Sequence, residues 1–367
     1  MIQDSLFKGL KVVEFASVLA GPAVGMFFAE LGAEVIKIEN KSTGGDMTRG
    51  WKLPAENPDT PVSAYFCSVN WGKTHLLLDL KNPEDHRKAM KLALEADIVI
   101  SNFRPSSARK LGLDADSLRE KHPRLIYAQL NAFADPEDET PAFDVVLQAE
   151  AGFLYMTGEA GCPPVKMPVA LIDLLAAHQL KEAILIALLQ RERLGTGATV
   201  CVSLLESALA SLANQATNWL MAGHVPQRMG LQHPNIAPYG DSYSCADGKQ
   251  ILLAVGTERQ FQQLCTCLNR SDLLENPDFQ TNQVRLLNRA KLNSALQAVF
   301  SKNDLHSWLN LLKTHQVPAA QIRDMPAVFE LPAAQNMILE ELLPDGTLSR
   351  RLRTVAFTLQ HGAKNPV

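Results

Sequence analysis

One acidic side chain lies in surroundings that suit covalent chemistry. Asp173 is the sole acid in the apolar run from Met167 to Leu180, and a long apolar helix is predicted to begin there. An Asp at that position suits an N-cap, which accepts backbone N–H groups. The helix dipole would also hold the carboxylate ionised, although apolar surroundings tend to raise the pKa of an acid. An ionised carboxylate can attack an acyl carbon, so a structural and a catalytic interpretation both stay open.

A second group of candidate side chains follows a predicted strand over residues 97–101. Asn102, Phe103 and Arg104 come directly after it, at the carboxyl end where α/β sheets bind ligands. An amide, an aromatic face and a cation could hold an adenine and a phosphate, or could form an ordinary polar turn. Lys110 could add positive charge to the same region, or it could be a solvated surface lysine.

A third candidate is Asp144, with Gln148 four residues later on the same face of a predicted helix. Asp144 also suits an N-cap, which is the structural alternative. The commonest catalytic motifs are absent from the sequence, because it has no GxxxxGK[ST], no GxGxxG, no HExxH and no GxSxG. These absences argue against phosphate-loop nucleotide hydrolysis, dinucleotide binding of the usual type, zinc proteolysis and serine hydrolysis.

The elements that must position these residues alternate between strands and helices. Helices are predicted over residues 83–95 and 173–193, and a further helix over residues 204–223. Short apolar runs predict strands at residues 10–15, 33–39, 74–80, 97–101, 124–130 and 198–203. This alternation is typical of an α/β fold with an open, Rossmann-like parallel sheet.

A change in sequence character marks a boundary further along the chain. Residues 224–240 are rich in proline and glycine, and mostly short amphipathic helices are predicted after a strand at 250–255. A strand-like alternation returns at residues 352–359. We therefore expect a large α/β domain over residues 1–223, a smaller α+β domain with linkers over 224–325, and a C-terminal segment over 326–367 that returns to the large domain.

Composition narrows the class of protein. The chain has 367 residues, of which 46% are hydrophobic, and its 35 Lys and Arg against 39 Asp and Glu give a net charge of −4. This predicts a globular protein with a substantial core and argues against nucleic-acid binding. The apolar run at residues 168–189 carries Asp173, Lys181 and Glu182, which a membrane helix would tolerate poorly. No secretory signal and no CxxC pair is present, so we expect a cytoplasmic location, reduced cysteines and no metal site.

Motifs over most of the chain resemble the class III CoA-transferase family, also called CaiB/BaiF. They occur in the family's order. They are AGP at 20–22, LGAEVIKIE at 31–39, GDMTRGW at 45–51, SNFRP at 101–105, FDVVLQAEAG at 143–152, VALID at 169–173, RERLGTG at 191–197 and HPNIAPYG at 233–240.

The resemblance implies a fold, an assembly and a set of site residues. The expected assembly is an interlocked, ring-like homodimer, and the acid of the VALID-like segment, here Asp173, is the implied nucleophile. Acyl-CoA and a small organic carboxylate are the implied substrates, with no permanently bound cofactor and no membrane partner. Contacts to coenzyme A would fall on Val18, Leu19, Ala20, Asn40, Lys41, Leu78, Leu80, Lys81, Asn102, Phe103, Arg104, Lys110, Phe143 and Asp144.

Two alternative functions remain at this point. The related α-methylacyl-CoA racemases need two bases, and they carry a His directly before the FDVVLQ-type Asp. This chain has Phe143 there, which cannot carry a proton, so CoA transfer is favoured. A non-catalytic acyl-CoA-binding protein is the other alternative.

Two positions depart from the family pattern. Asn40 stands where several transferases carry a basic residue, which leaves the contacts to the phosphates of coenzyme A open. An exposed acidic patch is expected in the segment before Phe143.

Overall fold

The computed structural model describes residues 6–135 and 137–359. Residues 1–5 of the expected large domain and residues 360–367 of the expected C-terminal segment lie outside the described residues. The strands are β1 Lys11–Glu14, β2 Glu34–Asn40, β3 Thr74–Leu78, β4 Ile98–Ser101, β5 Ile126–Asn131, β6 Thr199–Ser203, β7 Tyr239–Ser244, β8 Gln250–Ala254, β9 Ala319–Gln321, β10 Ile338–Leu342 and β11 Leu348–Leu352.

Helices separate most of these strands. They are α1 Ala20–Glu30, α2 Ala64–Cys67, α3 Pro83–Leu94, α4 Pro105–Leu111, α5 Ala115–Lys121, α6 Asp144–Glu150, α7 Phe153–Met156, α8 Leu171–Leu194, α9 Leu204–Ala210, α10 Ala213–Ala222, α11 Glu258–Cys267, α12 Ser271–Glu275, α13 Asn282–Leu287, α14 Arg289–Phe300, α15 Leu305–Thr314, α16 Met325–Phe329 and α17 Pro332–Gln335. Short 3₁₀ helices lie at Lys41–Thr43, Met47–Gly50 and Pro277–Phe279.

One parallel sheet organises the larger part of the fold. Within the described residues it has six strands in the order β3-β2-β1-β4-β5-β6. Val12 in β1 lies opposite Val35 of β2 on one side and opposite Ile98 of β4 on the other. The predicted α/β class and the predicted positions of these six strands are confirmed. This is the doubly wound order whose direction reverses between β1 and β4.

The sheet is covered by helices on both faces, as its apolar strands require. On one face, Val13, Val99 and Tyr127 pack with residues of α3 and α5 in a buried cluster. On the other, α1 packs against α8, which buries Ile172, Ala176, Leu180 and Ile184 along one side. Leu185, Ile186 and Leu189 on the far side of α8 are exposed, so the predicted buried helix is buried on one side only.

Two predicted elements are wrong in detail. The helix expected over residues 204–223 is two helices, α9 and α10. They are separated at residues 211–212, and Ala213, the first residue of α10, has a φ of 49°, outside the right-handed helical region. The strand expected over residues 352–359 is not found: β11 lies earlier, at Leu348–Leu352, and its antiparallel pairing with β10 ends at Leu352. Beyond it, the amides of Thr354 and Val355 donate to the Glu30 carboxylate instead of to a neighbouring strand.

The chain divides into two compact units. The larger contains the described residues within 1–152, 167–214 and 333–367, and in it Arg351 of β11 forms an ion pair with Glu30 of α1 at 2.7 Å. The smaller contains residues 153–166 and 215–332. Residues 153–166 and 215–223, placed in the large domain by the sequence, therefore belong to the smaller unit. One reason is that the Gly230 amide donates to the Gly158 carbonyl and Arg228 binds the Tyr155 carbonyl.

The smaller unit has its own core around an antiparallel sheet in the order β7-β8-β9. Tyr243 stacks on Phe300 with ring centroids 5.0 Å apart, and Trp308 packs edge-on against Phe300 at 5.2 Å. The Trp308 indole N–H donates to the Phe300 carbonyl at 2.8 Å, which satisfies the buried donor. In the described parts of both units, no helix combines the length and apolar character that a membrane span requires.

Candidate active site

A cleft opens in the larger unit where the strand order reverses. The loops after β1 and β4 diverge there, because successive connections leave the sheet on opposite faces. The cleft has a volume of about 300 Å³. Its walls come from the carboxyl ends of β1, β4 and β5, from the start of α9 and from the segment before α6, and Asp173 of α8 forms part of the lining.

Asp173 lies in the first turn of α8 but does not cap it. The helix begins at Leu171 and its N-cap residue is Ala170, so Asp173 is the third helical residue, and the predicted N-cap role is wrong. The residue is 8% exposed, and this exposed part faces the cleft. Within residues 6–135 and 137–359, no donor lies within hydrogen-bond distance of its carboxylate oxygens.

Asp144 supplies the cap that Asp173 does not. Its Oδ2 accepts the backbone N–H of Ile172 at 2.6 Å and that of Asp173 at 3.3 Å. Asp144 is the first residue of α6, whose N-cap is Phe143, so its own predicted N-cap role is also wrong. The expected pairing of Asp144 with Gln148 is confirmed, because the Gln148 amide donates to Asp144 Oδ1. One carboxylate thus links the starts of two helices and fixes the Asp173 backbone.

The electrostatics of Asp173 differ from the expectation of a carboxylate held ionised by the helix dipole. Burial, and second the nearby Asp144 carboxylate, raise the pKa of Asp173 to about 7. The dipole is already engaged, because Asp144 occupies the N–H groups at the helix start. The side chain is therefore divided between its neutral and ionised forms near neutral pH, and perturbed pKa values of this kind are concentrated at functional sites.

Tyr65 is a residue near this site that sequence reasoning missed. Burial raises the pKa of Tyr65 to about 12, with further contributions from the carboxylates of Asp173, Asp144 and Asp46. Its ring packs edge-on against Trp51 with centroids 5.1 Å apart. Tyr65 follows no strand of the sheet and belongs to the short helix α2, so no local pattern associates it with Asp173.

The cleft brings together about half of the residues implied by the family resemblance. It is lined by Val18, Leu19, Ala20, Asn102, Phe103, Arg104 and Phe143 together with Asp173. Asn102 also fixes the loop after β1, because its side chain accepts the Ser17 N–H at 3.2 Å and donates to the Ser17 carbonyl at 3.1 Å. Phe103 packs on Phe15 with centroids 5.5 Å apart.

The remaining implied residues do not line the cleft. Asn40 ends β2, and its side chain accepts from Ser42, so it caps a 3₁₀ turn that includes the exposed Lys41. Leu78 ends β3 opposite Asn40 and is buried in the core with Leu80 packed beside it, so the Leu78 side chain is not on the surface. The implied residues of this sheet edge and of α4 that are exposed are Asn40, Lys41, Lys81 and Lys110.

The acidic segment before Phe143 is partly engaged with its surroundings. Glu137 forms two hydrogen bonds with the Arg109 guanidinium, both at 2.9 Å, and Glu139 accepts the Ser106 N–H at 2.8 Å. Asp138 and Glu139 are among the lining residues of the cleft. The expected exposed acidic patch is therefore partly tied to α4, and it gives one side of the cleft a negative charge.

A buried ion cluster under the loop after β1 is the largest feature that the sequence analysis missed. We use the name for Glu14, Lys37, Asp46 and Lys73, each less than 9% exposed. Lys37 lies 2.7 Å from Glu14 and 3.2 Å from Asp46, and Lys73 lies 2.8 Å from Glu14. Burial alone would raise the pKa of Glu14, but the two ammonium groups lower it. Burial lowers the pKa of Lys73 to about 8, against the opposing effect of Glu14.

Comparison with known proteins agrees with this architecture. A family model described as CoA-transferase family III matches residues 7–365. A succinate–glutarate CoA-transferase of Agrobacterium fabrum is 35% identical over 353 residues, 94% of this chain and 88% of that protein. An acetyl-CoA:oxalate CoA-transferase of Acetobacter aceti is 32% identical over 339 residues, 91% of this chain and 85% of that protein.

Solved structures give the same result. The crystal structure of a CaiB/BaiF family protein from Brucella suis matches with a TM-score of 0.81 at 36% identity, covering 97% of this chain and 93% of that chain. The chain belongs to CoA-transferase family III, and the resemblance inferred from its motifs is confirmed.

Proposed function

We propose that this protein moves coenzyme A from an acyl-CoA thioester to a carboxylic acid, with Asp173 as the covalent nucleophile. The observation that carries the proposal is the position of Asp173, a buried carboxyl group in the wall of a cleft at the switch point of the sheet. Its carboxylate oxygens are not engaged by a hydrogen-bond donor of the described residues, so they are available to a substrate.

The proposed reaction begins when the ionised Asp173 attacks the thioester carbonyl. The carbon–sulfur bond breaks, and an acyl–aspartyl anhydride and CoA thiolate result. The thiolate then attacks the aspartyl carbonyl, which releases the donor acid and leaves an aspartyl-CoA thioester. The acceptor carboxylate attacks the aspartyl carbonyl of this thioester, which expels the thiolate and forms a second anhydride between Asp173 and the acceptor. The thiolate then attacks the acceptor acyl carbon of this anhydride, which forms the new acyl-CoA and regenerates Asp173. One thioester replaces another, so no ATP is consumed.

Burial of Asp173 serves this chemistry in a specific way. A carboxylate with a pKa of about 7 is more basic than an exposed aspartate, and basicity increases nucleophilicity. Bound acyl-CoA would fill the cleft and keep water from the anhydride, which would otherwise be hydrolysed. Asp144 contributes as a positioning residue, because it fixes the backbone of Asp173 and disfavours its ionised form.

Coenzyme A is proposed to enter along the carboxyl edge of the sheet. Its pantetheine arm would lie against Val18, Leu19 and Ala20, and its adenine against Phe103, with Asn102 and Arg104 beside it. The ends of β2 and β3 lie at the same edge. The exposed side chains and backbone of residues 40–41, 78–81 and 110 would therefore meet the distal phosphates. Phe143 would border the acyl group.

The acceptor is proposed to be a small or medium organic acid. Relatives named for glutarate, oxalate and mesaconate support a dicarboxylate. Asp138 and Glu139 repel an acid that approaches from their side of the cleft, so we expect the acceptor to reach Asp173 from elsewhere.

We further propose a homodimer located in the cytoplasm. Helix α8 exposes Leu185, Ile186 and Leu189, of which Ile186 is 58% exposed, and α10 exposes Leu220 and Met221, 78% and 83% exposed. Apolar side chains with such exposure on two helices indicate a protein interface, and a second copy of the chain is the occupant that the family resemblance implies.

The test is a screen of acyl-CoA donors against a panel of mono- and dicarboxylic acids. Racemisation of a 2-methylacyl-CoA serves as a control for the racemase alternative. The productive mixture is then treated with hydroxylamine and digested, and mass spectrometry is expected to place the modification on Asp173.

Asp173→Asn is expected to lower the transfer rate at least about 1,000-fold, because no other nucleophile would be left to accept the acyl group from the thioester. Glu182→Gln, an exposed change on the same helix, is the matched control and should keep full activity. Full CoA exchange by folded Asp173→Asn would overturn the assignment. Exchange of the α-proton without CoA transfer would favour the racemase instead.

A further inference from the structure

The turn between β1 and α1 contains a strained residue that faces the cleft. Val18 has a φ of 74°, in the left-handed region that a β-branched residue rarely adopts. Its neighbours Leu19 and Ala20 line the same cleft as Asp173. A residue in such a conformation persists only where its surroundings hold it, and strain of this kind clusters at functional sites.

The buried ion cluster is what holds this turn. The Asp46 carboxylate accepts the Val18 N–H at 3.2 Å, and Lys37 in turn lies 3.2 Å from Asp46. Lys37 also donates to the Ala16 carbonyl at 2.6 Å, and Lys73 donates to the Pro22 carbonyl at 2.8 Å. Three backbone groups within residues 16–22 are therefore bound by charged side chains of one cluster.

The cluster and the start of α1 are in close contact. A Cβ added at Gly25 would lie 2.0 Å from Glu14 Oε2, so the helix backbone rests directly on the Glu14 carboxylate. A Cβ at Gly21 would lie 2.3 Å from the Ala16 Cβ, which closes the turn on itself. The turn consequently has little room to adjust unless the cluster changes.

Stability alone does not account for charges in this place. Removing charges from water costs free energy, and buried ion pairs can often be replaced by apolar side chains without loss of stability. What apolar side chains could not do is bind the Val18 N–H and two carbonyls in one fixed geometry.

We propose that Asp46, held by Lys37, is a positioning residue that keeps Val18 in its left-handed conformation and thereby sets the shape of the turn against which acyl-CoA packs. This inference rests on the proposed function of the cleft. It assigns no chemical step to Asp46, which acts only through the backbone of Val18.

The inference predicts a specific coupling between residues 46 and 18. When Asp46 is lost, valine leaves the left-handed region, and the turn takes another shape. Glycine adopts a positive φ without strain, so with Val18→Gly the same turn persists without the Asp46 hydrogen bond. The loss in kcat/KM caused by Asp46→Ala should therefore be much smaller when Val18→Gly is also present.

The experiment is a double-mutant cycle with kcat and KM for acyl-CoA, and with the Kd for free CoA from calorimetry. Asp46→Ala is expected to lower kcat/KM about 10- to 100-fold, the effect of a misplaced binding group. In the Val18→Gly background, the loss in kcat/KM caused by Asp46→Ala should be at least fivefold smaller. Glu30→Gln, which breaks the buried Arg351 pair in the same unit, is the matched control. It should lower thermal stability without changing kcat/KM.

An equal loss in kcat/KM from Asp46→Ala in both backgrounds would overturn the inference. It would also be overturned if Glu30→Gln, at the same thermal stability as Asp46→Ala, lowered kcat/KM by the same factor. If Asp46→Ala does not fold, Asp46→Asn takes its place in the cycle. Its amide no longer pairs with Lys37, so the oxygen that accepts the Val18 N–H loses its anchor, and the loss in kcat/KM should again be smaller in the Val18→Gly background. If the unmodified protein transfers CoA between no donor and acceptor of the panel, the proposed function fails. The coupling between residues 46 and 18 in the Kd for free CoA still decides the inference in that case.

Discussion

The carboxyl group of Asp173 is buried, but as the proposed nucleophile it would have to be ionised to attack a thioester. Burial and the Asp144 carboxylate raise its pKa to about 7. If Asp173 is the nucleophile, kcat/KM is expected to rise with pH and to level off above about pH 7, because only its ionised fraction would react.

The replacement Asp144→Asn is expected to move this rise to lower pH. The amide removes a negative charge near Asp173 but keeps an oxygen that can accept the Ile172 N–H. The measurement is the pH dependence of kcat/KM for both proteins, with acyl-CoA concentrations well below KM. An unchanged midpoint would show that Asp144 does not set the ionisation of Asp173.

The same raised pKa has a cost in folding stability. Asp173 in the folded chain binds its proton more tightly than the ordinary aspartate of the unfolded chain, whose pKa is 3.8. The unfolded state therefore loses its proton first, and stability falls as pH rises between about 4 and 7. Asp173→Asn should be more stable than the parent protein at pH 8, by at most about 4 kcal/mol.

Urea unfolding at pH 4.5 and pH 8 tests this expectation. The stability gain from Asp173→Asn should be smaller at the lower pH, where the parent carboxyl group is protonated. Glu182→Gln is the control, because its exposed carboxylate loses little solvation on folding. A gain that is the same at both pH values would contradict the raised pKa.

At the scale of the elements, Gly197 controls how the connection from α8 enters β6. Its N–H donates to the Pro123 carbonyl at 2.8 Å, and a Cβ at this position would lie 2.0 Å from the Leu125 carbonyl oxygen. Backbone atoms cannot move aside as side chains can. Gly197→Ala should lower the free energy of unfolding by about 1–3 kcal/mol.

The control for this prediction is Gly50→Ala, because no atom lies within 4 Å of a Cβ at residue 50. Thermal unfolding of both variants gives the comparison. Equal unfolding temperatures for Gly197→Ala and Gly50→Ala would mean that β6 can shift away from β5 without a loss of stability.

The strands of the sheet could be predicted from the sequence, but the caps and ion pairs of the site could not. Short apolar runs such as residues 97–101 are local signals, and β4 is found there. The cap of α8 is not local, because Asp144 lies 28 residues before the Ile172 amide that it accepts. Lys37 and Glu14 lie 23 positions apart on two different strands, and only the fold shows that they meet.

At the scale of the whole molecule, the proposed homodimer has a direct test. Light scattering after size-exclusion chromatography is expected to give twice the mass of one chain at micromolar concentration. Ile186→Glu places a charge in the exposed apolar side of α8 and should reduce the dimer fraction. A monomeric parent protein with full transfer activity would exclude the homodimer.

The ion pair between Glu30 and Arg351 has a consequence for synthesis of the chain. Glu30 also accepts the amides of Thr354 and Val355, so the end of α1 is completed by residues more than 300 positions later. On the ribosome, the first strands and α1 emerge long before this hairpin exists. Contacts of such sequence separation slow folding and leave apolar surface uncovered meanwhile. These contacts at the end of α1 therefore form only after residues 348–355 have been translated.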